Sequence, residues 1–390
     1  MQVYKNPARG QRLISSGLPL AAKAVAAALL LSGVAVQGTG AQPMGSSAAA
    51  AGMTGTVESA GGVEADGTVD VPGFRLPPSI YASDQAKAAM PRKPTDPEAM
   101  MFQALKAGKA GAMRARIGEF MAGTIKHHAD LYPVTMRPAT IAGVPAVYVT
   151  PVKPIPAANR SKILLDLPGG GFVMGAAPGT GMVESIPLAA LAQVEIVSIT
   201  YRQSPEATFP AASEDVAAVY RELLKTHRPQ DIAIFGCSAG GLLTAEAMAW
   251  FQKENLPMPG AIGIFCASAD ARFGGDSQAY ARPFQALAPR AGGLSYFHPG
   301  DETNPLASPV LAPEVLKRFP PTLIISSSRA MDMSSAINTH RELVKAGVDA
   351  DLHIWDGLGH AFFYDIDLPE SREAFQVMAN FFEKHLKLQK

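Results

Sequence analysis

The pentapeptide at residues 236–240 reads Gly-Cys-Ser-Ala-Gly, the pattern Gly-x-Ser-x-Gly, and it joins two stretches of different character. Residues 232–235 before it are a short apolar run, and residues 240–253 after it are rich in alanine and leucine at helical spacing. This order predicts a strand, a sharp turn and a helix, with Ser238 at the apex of the turn beside the positive end of the helix dipole. An ordinary glycine-rich turn is the alternative, and the rest of the chain must decide between the two.

Strand-like and helical stretches alternate through most of the chain. The predicted strands are short apolar or β-branched runs at 146–150, 163–167, 195–201, 232–235, 261–265, 322–326 and 351–355. The predicted helices lie at 183–192, 211–226, 240–253, 334–346 and 370–386. Such alternation, with buried apolar strands, predicts an α/β fold with a mostly parallel central sheet and helices on both faces. Active sites of such sheets lie at the carboxyl ends of the strands, which is where Ser238 falls.

Length and charge narrow the class of protein. The chain has 390 residues, with 34 basic and 34 acidic side chains, which is enough for a large α/β domain plus accessory helices. Balanced charge argues against a nucleic-acid partner. The chain contains 2 cysteines, Cys237 and Cys266, which do not form a disulfide framework. Both fall near the ends of neighbouring predicted strands, so a single bridge between them stays open.

The N-terminal region differs from the remainder in composition. Four basic residues between Lys5 and Lys23 precede an uncharged apolar run at 24–36, and small residues follow up to Ala41. This layout predicts a secretory signal peptide at residues 1–41 and hence export to the periplasm or the medium. The apolar run is shorter than the roughly 20 residues of a membrane span. An uncleaved N-terminal anchor is the alternative, and it is the sole membrane association that the sequence suggests.

Two further regions separate the signal peptide from the main domain, which we place at residues 131–390. Residues 42–75 are rich in Ala, Gly, Ser and Thr without periodicity and are predicted to be a flexible linker. Within residues 76–130, the stretch from Asp96 to His127 has apolar residues at helical spacing, interrupted by glycines at 108 and 111. This pattern predicts two amphipathic helices.

A serine hydroxyl becomes a useful nucleophile only when a base removes its proton. Of the eight histidines, His360 alone lies in a glycine-flanked loop directly after the last predicted strand, so it is the predicted base. The sequence has no His-Glu-x-x-His motif and no Cys/His cluster. We therefore expect neither a metal ion nor another cofactor.

Acyl transfer also needs donors for the oxygen that becomes negatively charged. The segment Pro-Gly-Gly-Gly-Phe at residues 168–172 follows the predicted strand 163–167. Its bare backbone predicts N–H donors at Gly170 and Gly171, with a third at Ala239 beside the serine. The alternative for this segment is a merely flexible glycine loop.

These motifs, in this order, resemble the hormone-sensitive-lipase-like branch of the α/β-hydrolases, the carboxylesterases of α/β-hydrolase fold-3, over about residues 151–386. The resemblance rests also on Tyr201–Glu206 (YRQSPE), Phe209–Ala212 (FPAA), Asp215, Asn304–Pro309 and Pro320–Ile325. It implies an α/β-hydrolase fold in which the helices of residues 76–130 form a cap over the pocket. It also implies a serine carboxylesterase that hydrolyses small-molecule esters of short to medium chain length through an acyl-enzyme at Ser238.

Three positions depart from the family pattern. Pro168 replaces the family's usual histidine before the glycines, and Cys237 stands where the family often has aspartate. At the position of the acid that supports the histidine, counting without gaps gives Ala330, which has no carboxylate. Asp332, two residues later, is the predicted replacement. A helix-capping role for Asp332 and the absence of any acid stay open as alternatives, and Asp356 is a weaker candidate.

Two other functions remain open at this stage. The same machinery would serve an amide or a thioester, because every acyl transfer uses a nucleophile, a base and oxyanion donors. A hydrolase fold that binds a ligand with weak or no turnover is the other alternative, suggested by Ala330. The sequence does not predict an oligomeric state.

Overall fold

The computed structural model describes residues 76–90, 108–281 and 296–389, together with residues 65 and 68. The predicted signal peptide, 1–41, lies outside the described residues, as does nearly all of the predicted linker, 42–75. The first of the two helices predicted within residues 96–127 also lies outside them. These three interpretations therefore remain predictions.

An eight-stranded sheet forms the centre of the described fold. Its strands are β1 (Val134–Ile141), β2 (Val144–Pro151), β3 (Ile163–Leu167), β4 (Glu195–Ile199), β5 (Ile232–Cys237), β6 (Ala261–Phe265), β7 (Thr322–Ser327) and β8 (Ala350–Trp355). Their order across the sheet is β1-β2-β4-β3-β5-β6-β7-β8. The pairs from β4 to β8 are parallel, whereas β2 is antiparallel to both β1 and β4. The predicted α/β class with a mostly parallel sheet is confirmed.

Strand β1 was not predicted from the sequence. Most of its side chains are exposed and it contains Pro138, so it lacks the apolar pattern that marks the other strands. It forms a hairpin with β2 through Ala142 and Gly143, whose φ values are 50° and 84°. Two residues with positive φ are typical of tight hairpin turns. Turn geometry and pairing with β2 therefore create this strand, rather than a hydrophobic face of its own.

Helices cover the sheet. They are α1 (Asp84–Ala89), α2 (Ala110–Leu131), α3 (Thr180–Ala192), α4 (Ala211–Leu223), α5 (Ala239–Lys253), α6 (Ser277–Tyr280), α7 (Pro313–Leu316), α8 (Met333–Lys345) and α9 (Pro369–Leu386). The five helices predicted for the main domain correspond to α3, α4, α5, α8 and α9. Of the two glycines predicted to interrupt the helical pattern, Gly108 has a φ of 65° and lies just before α2, and Gly111 is the second residue of α2. None of the described helices has the length and apolar character needed to cross a bilayer.

Alternating side chains of the parallel strands enter two separate apolar cores. On one face, Leu165 and Ile234 pack with buried residues of α4, α5 and α8. On the other face, Leu164 and Phe235 pack with buried residues of α3 and α9. Full burial of side chains of this size contributes roughly 1.5–3 kcal/mol each. Helices are therefore held on both faces of the sheet, as predicted.

The register of β3 and β5 positions the site. The two strands pair from Ile163 and Ile232 to Leu167 and Gly236, so they end at the same level. The glycine loop after β3 and the serine turn after β5 consequently begin side by side. The segments that follow β7 and β8 leave the sheet at the same edge because these strands are parallel to β5.

Candidate active site

The turn between β5 and α5 holds Ser238 in a strained backbone conformation, with φ 57° and ψ −121°. Its N–H donates to the carbonyl of Phe265 at 2.8 Å. A Cβ added at Gly236 would lie 2.2 Å from the carbonyl oxygen of Leu167, and one at Gly240 only 1.6 Å from the same atom. Glycine is therefore required at both positions, because the turn presses directly on the end of β3. The strand, turn and helix expected around Ser238 are all present.

Three predicted side chains are brought together at this edge of the sheet. His360 Nε2 lies 2.9 Å from Ser238 Oγ. On the other side of the ring, Nδ1 lies 2.7 Å from Asp332 Oδ1. When the ring is neutral and carries its proton on Nδ1, it donates to Asp332 and accepts the hydroxyl hydrogen of Ser238. This arrangement has the geometry of a nucleophile, a base and an orienting acid.

Asp332 is fully buried and lies at the N-terminal boundary of α8. Its side chain makes no capping hydrogen bond to that helix. Instead, one carboxylate oxygen faces His360 and the other accepts from the hydroxyl of Ser326 at 2.5 Å. Ala330 is also buried, and its N–H donates to the carbonyl of Ser327 in the turn that leads to Asp332. The turn thus places the carboxylate of Asp332 next to His360, although Asp332 lies two residues after Ala330, where the family pattern has its acid.

Asp356, the weaker candidate, has other partners. Its carboxylate accepts from the hydroxyl of Ser79 at 2.5 Å. This hydrogen bond has the largest effect in lowering the pKa of Asp356, and a second hydrogen bond, from Ser328, lowers it further. A Cβ on the neighbouring Gly357 would lie 2.3 Å from Cβ of Ser79. Asp356 therefore fastens the segment before α1 to the loop that carries His360, and it is Asp332 that contacts the imidazole.

The glycine loop after β3 turns sharply around Gly170. Its carbonyl accepts from the N–H groups of Val173 and Met174, and a Cβ added at Gly170 would lie 2.3 Å from the nitrogen of Gly175. Within the described part of the chain, no hydrogen-bond acceptor is found for the N–H groups of Gly170 and Gly171. The Ala239 N–H belongs to the first residue of α5, where helix geometry leaves it unpaired. These three donors remain available for an anionic oxygen.

The glycine loop is tied down at several points. The Tyr201 hydroxyl donates to the carbonyl of Pro168 at 2.6 Å. From α2, Arg114 Nε donates to the carbonyl of Val173 at 2.6 Å, and the same guanidinium is paired with Glu206. The loop is thus held by hydrogen bonds rather than left without contacts. Although Pro168 stands where the family usually has a histidine, its backbone carbonyl still accepts a hydrogen bond from Tyr201.

Both cysteines are buried and free. The bridge that the sequence left open between Cys237 and Cys266 is therefore absent from the structure. Burial raises the pKa of Cys237 well above its usual range, and the neighbouring Cys266 thiol adds a smaller effect in the same direction. A neutral thiol is a weak nucleophile, and Ser238 occupies the apex of the turn.

Sequence reasoning missed three residues that contact this site. Ser326 donates a hydrogen bond to Asp332. The sequence marked Ser326 only as a hydroxyl residue at the end of a predicted apolar strand. Glu184 and Tyr364 are hydrogen-bonded to each other beneath the glycine loop. Glu184 could have been found from the sequence, because it is the single carboxylate in the otherwise apolar sequence of α3.

Comparisons with known proteins cover this part of the chain. A sequence profile of a family described as alpha/beta hydrolase fold matches residues 164–364. An acetyl-hydrolase of Streptomyces hygroscopicus is 31% identical over 232 residues, covering 58% of this chain and 77% of the relative. The crystal structure of an esterase, E25, has a TM-score of 0.70 at 28% identity and covers 83% of this chain and 99% of its own. An esterase from the bacterial hormone-sensitive lipase (HSL) family has a TM-score of 0.60 at 26% identity, covering 70% of this chain and 98% of its own.

Proposed function

Because the chain belongs to the hormone-sensitive-lipase-like branch of the α/β-hydrolases and is a carboxylic ester hydrolase, we propose that Ser238 is its nucleophile and forms an acyl-enzyme. The observation that carries this proposal is the continuous hydrogen-bonded chain from Ser238 through His360 to the buried Asp332. Catalysis by a hydroxyl requires such a chain, because an unassisted serine is a poor nucleophile at neutral pH.

In the first half of the reaction, Ser238 Oγ attacks the ester carbonyl carbon while His360 Nε2 takes the hydroxyl proton. The carbonyl oxygen becomes an anion, which accepts hydrogen bonds from the N–H groups of Gly170, Gly171 and Ala239. Each such donor contributes about 2.7–4 kcal/mol to transition-state stabilisation. Collapse of the tetrahedral intermediate breaks the bond to the leaving alcohol, which receives the proton from His360.

In the second half, water replaces the alcohol. His360 removes a proton from the water as its oxygen attacks the acyl carbon, and the same backbone donors hold the second oxyanion. The bond between the acyl group and Ser238 then breaks, and His360 returns the proton to the serine oxygen. The products are the carboxylic acid and the free enzyme.

Asp332 supports His360 in both halves. Its carboxylate selects the ring tautomer in which Nε2 is free to accept a proton, and its charge stabilises the imidazolium that forms. Because Asp332 is buried and also accepts from Ser326, its orientation is fixed from two sides. This arrangement supports turnover and counts against a protein that only binds its ligand.

For the substrate, we propose a small-molecule ester with a short to medium acyl chain. Resemblance to the family and similarity to a protein named acetyl-hydrolase support this choice. The cap proposed for residues 76–130 is supported by Arg114 of α2, which contacts the glycine loop. We also propose export, on the strength of the signal-like sequence at residues 1–41.

The deciding experiment compares the purified chain with Ser238→Ala on p-nitrophenyl esters of increasing acyl length. The expected result is turnover that is highest on short chains and falls by roughly 10⁶-fold in the variant. A p-nitroanilide and a thioester with the same acyl group, assayed in parallel, separate ester hydrolysis from the other acyl transfers. Equal rates in the wild type and Ser238→Ala would overturn the proposal.

A further inference from the structure

The buried carboxylate of Glu184, on α3, receives hydrogen bonds from three different segments. Oε1 accepts from the N–H of Gly169 at 3.2 Å and from the hydroxyl of Tyr364 at 2.5 Å. Oε2 accepts from the N–H of Cys237 at 3.0 Å. Only 1% of Glu184 is exposed, so water does not compete for these donors.

Each of the three donors is close in sequence to one part of the proposed machinery. Gly169 immediately precedes Gly170 in the glycine loop, and Cys237 immediately precedes Ser238. Tyr364 lies in the turn that follows the His360 loop, close behind it in sequence. A Cβ added at Gly169 would lie 2.7 Å from the carbonyl oxygen of Cys237 and 2.9 Å from the Tyr364 hydroxyl. The three segments therefore meet at a single point, and the Glu184 carboxylate occupies it.

We propose that Glu184 is a positioning residue that fixes the oxyanion donors, the nucleophile and the base relative to one another. This inference rests on the proposed function. Rate enhancement in acyl transfer depends on donors that are already in place when the oxyanion forms, and small displacements of such groups are costly. A carboxylate that joins all three backbone segments restrains all three at once, without touching the substrate.

The ionised state suits this role because a carboxylate accepts several hydrogen bonds and donates none. Burial raises the pKa of Glu184 to about 7, against the opposing effects of the Tyr364, Gly169 and Cys237 donors. Its neighbour Asp166 is fully buried and accepts from Ser185. Burial and the charge of Glu184 raise the pKa of Asp166 well above its usual range. Asp166 therefore holds its proton to a higher pH than Glu184 does, and Glu184 is the member of the pair that ionises first.

The test is Glu184→Gln, which preserves size and leaves one backbone donor unpaired. Whichever way the amide is turned, its NH₂ group faces the N–H of either Gly169 or Cys237. With p-nitrophenyl butyrate we expect kcat to fall by about 10-fold to 100-fold and KM to change by less than about threefold. The Ki of a trifluoromethyl ketone, which forms a tetrahedral adduct with an active-site serine, should rise by the same factor as kcat/KM falls.

Glu246→Gln is the matched control. Glu246 is another fully buried glutamate, on α5, and its carboxylate accepts from Ser213 on α4. We expect its kcat and its Ki for the ketone to stay within about twofold of the wild type, because its partner lies away from the three segments. An equal loss of kcat in both variants would show a general cost of altering a buried carboxylate and would overturn the inference.

Other outcomes are equally decisive. A folded Glu184→Gln variant with wild-type kcat and ketone Ki overturns the positioning role while leaving the proposed function intact. Absence of turnover by the wild type above Ser238→Ala overturns both. If Glu184→Gln does not fold, Tyr364→Phe takes its place, since it removes one of the three donors. A severalfold lower kcat with unchanged KM in Tyr364→Phe supports the role, and an unchanged kcat overturns it.

Discussion

Asp332 Oδ1 lies 2.7 Å from His360 Nδ1, and the other oxygen of the same carboxylate is held by the hydroxyl of Ser326. Both contacts are made by a side chain with no exposed surface. A buried carboxylate with two fixed partners has little freedom to rotate. The imidazole is consequently presented to Ser238 in one orientation, which is the condition for efficient proton transfer.

Replacement of Asp332 by Asn should reduce kcat by about 10⁴-fold, because the amide stabilises the wrong tautomer of His360 and does not balance the imidazolium charge. The check is steady-state kinetics on p-nitrophenyl acetate, with circular dichroism to confirm folding. Asp231→Asn, at the opposite end of β5 from Ser238, is the control and should retain activity within about threefold. Activity of Asp332→Asn close to that of the wild type would mean that another group supports the histidine.

Gly240→Ala should destabilise the fold by about 3 kcal/mol or more, because the added Cβ would lie 1.6 Å from the carbonyl oxygen of Leu167. The control is Gly118→Ala in α2, where nothing lies within 4 Å of the added atom. That change should stabilise the helix by about 0.5–1 kcal/mol. Thermal unfolding of both variants gives the comparison. Similar Tm values for the two would show that β3 moves aside at little cost.

His128 should make the fold less stable in mild acid. It is fully buried in α2, where Nδ1 lies 3.0 Å from the carbonyl oxygen of Thr124. Burial lowers its pKa from 6.5 to about 4. The unfolded chain thus binds a proton at this side chain below pH 6.5, and the folded chain does so only near pH 4. Stability from this group is complete above pH 6.5 and is lost as the pH falls toward 4, by about 3 kcal/mol in total.

The measurement for His128 is urea unfolding at several pH values in wild type and His128→Gln. The variant should lose less stability between about pH 6.5 and pH 4, because the unfolded chain no longer takes up that proton. Comparison of slopes rather than of absolute stabilities removes the effect of the substitution on packing. Parallel pH dependences in the two proteins would contradict the assignment.

Expression of the full chain in a bacterial host tests the proposed export. The expected product is a mature protein that begins near residue 42, recovered from the periplasm or the medium, since the N-terminal segment has the layout of a cleaved signal. Mass spectrometry of the purified product gives the first residue. Intact chain in the membrane fraction would instead identify an uncleaved anchor.

The parts of the site that the sequence predicted are those specified by local sterics. Gly236 and Gly240 are needed because a strand, a turn and a helix meet within five residues, and that requirement is visible in the pentapeptide. The position of His360 followed from its glycine-flanked loop after the last strand. The parallel order of the sheet followed in the same way from the alternation of apolar strands and helices.

The parts that the sequence did not predict depend on distant contacts. Strand β1 exists because it pairs with β2, since its own exposed side chains carry no strand pattern. Whether Asp332 or no acid at all would serve His360 depended on the curvature of one turn after β7, which spacing along the chain does not fix. The contacts of Glu184 could not be predicted for the same reason, because its partners Gly169, Cys237 and Tyr364 are far apart in sequence.

The contact of Gly236 and Gly240 with the carbonyl of Leu167 joins the serine turn to the strand that continues into the glycine loop. This backbone contact and the Glu184 carboxylate together restrain the distance between Ser238 and the N–H groups of Gly170 and Gly171. We expect substitutions of side chains outside these contacts to change which acyl group is accepted while this geometry stays constant, so that selectivity and chemical competence can evolve independently in this chain.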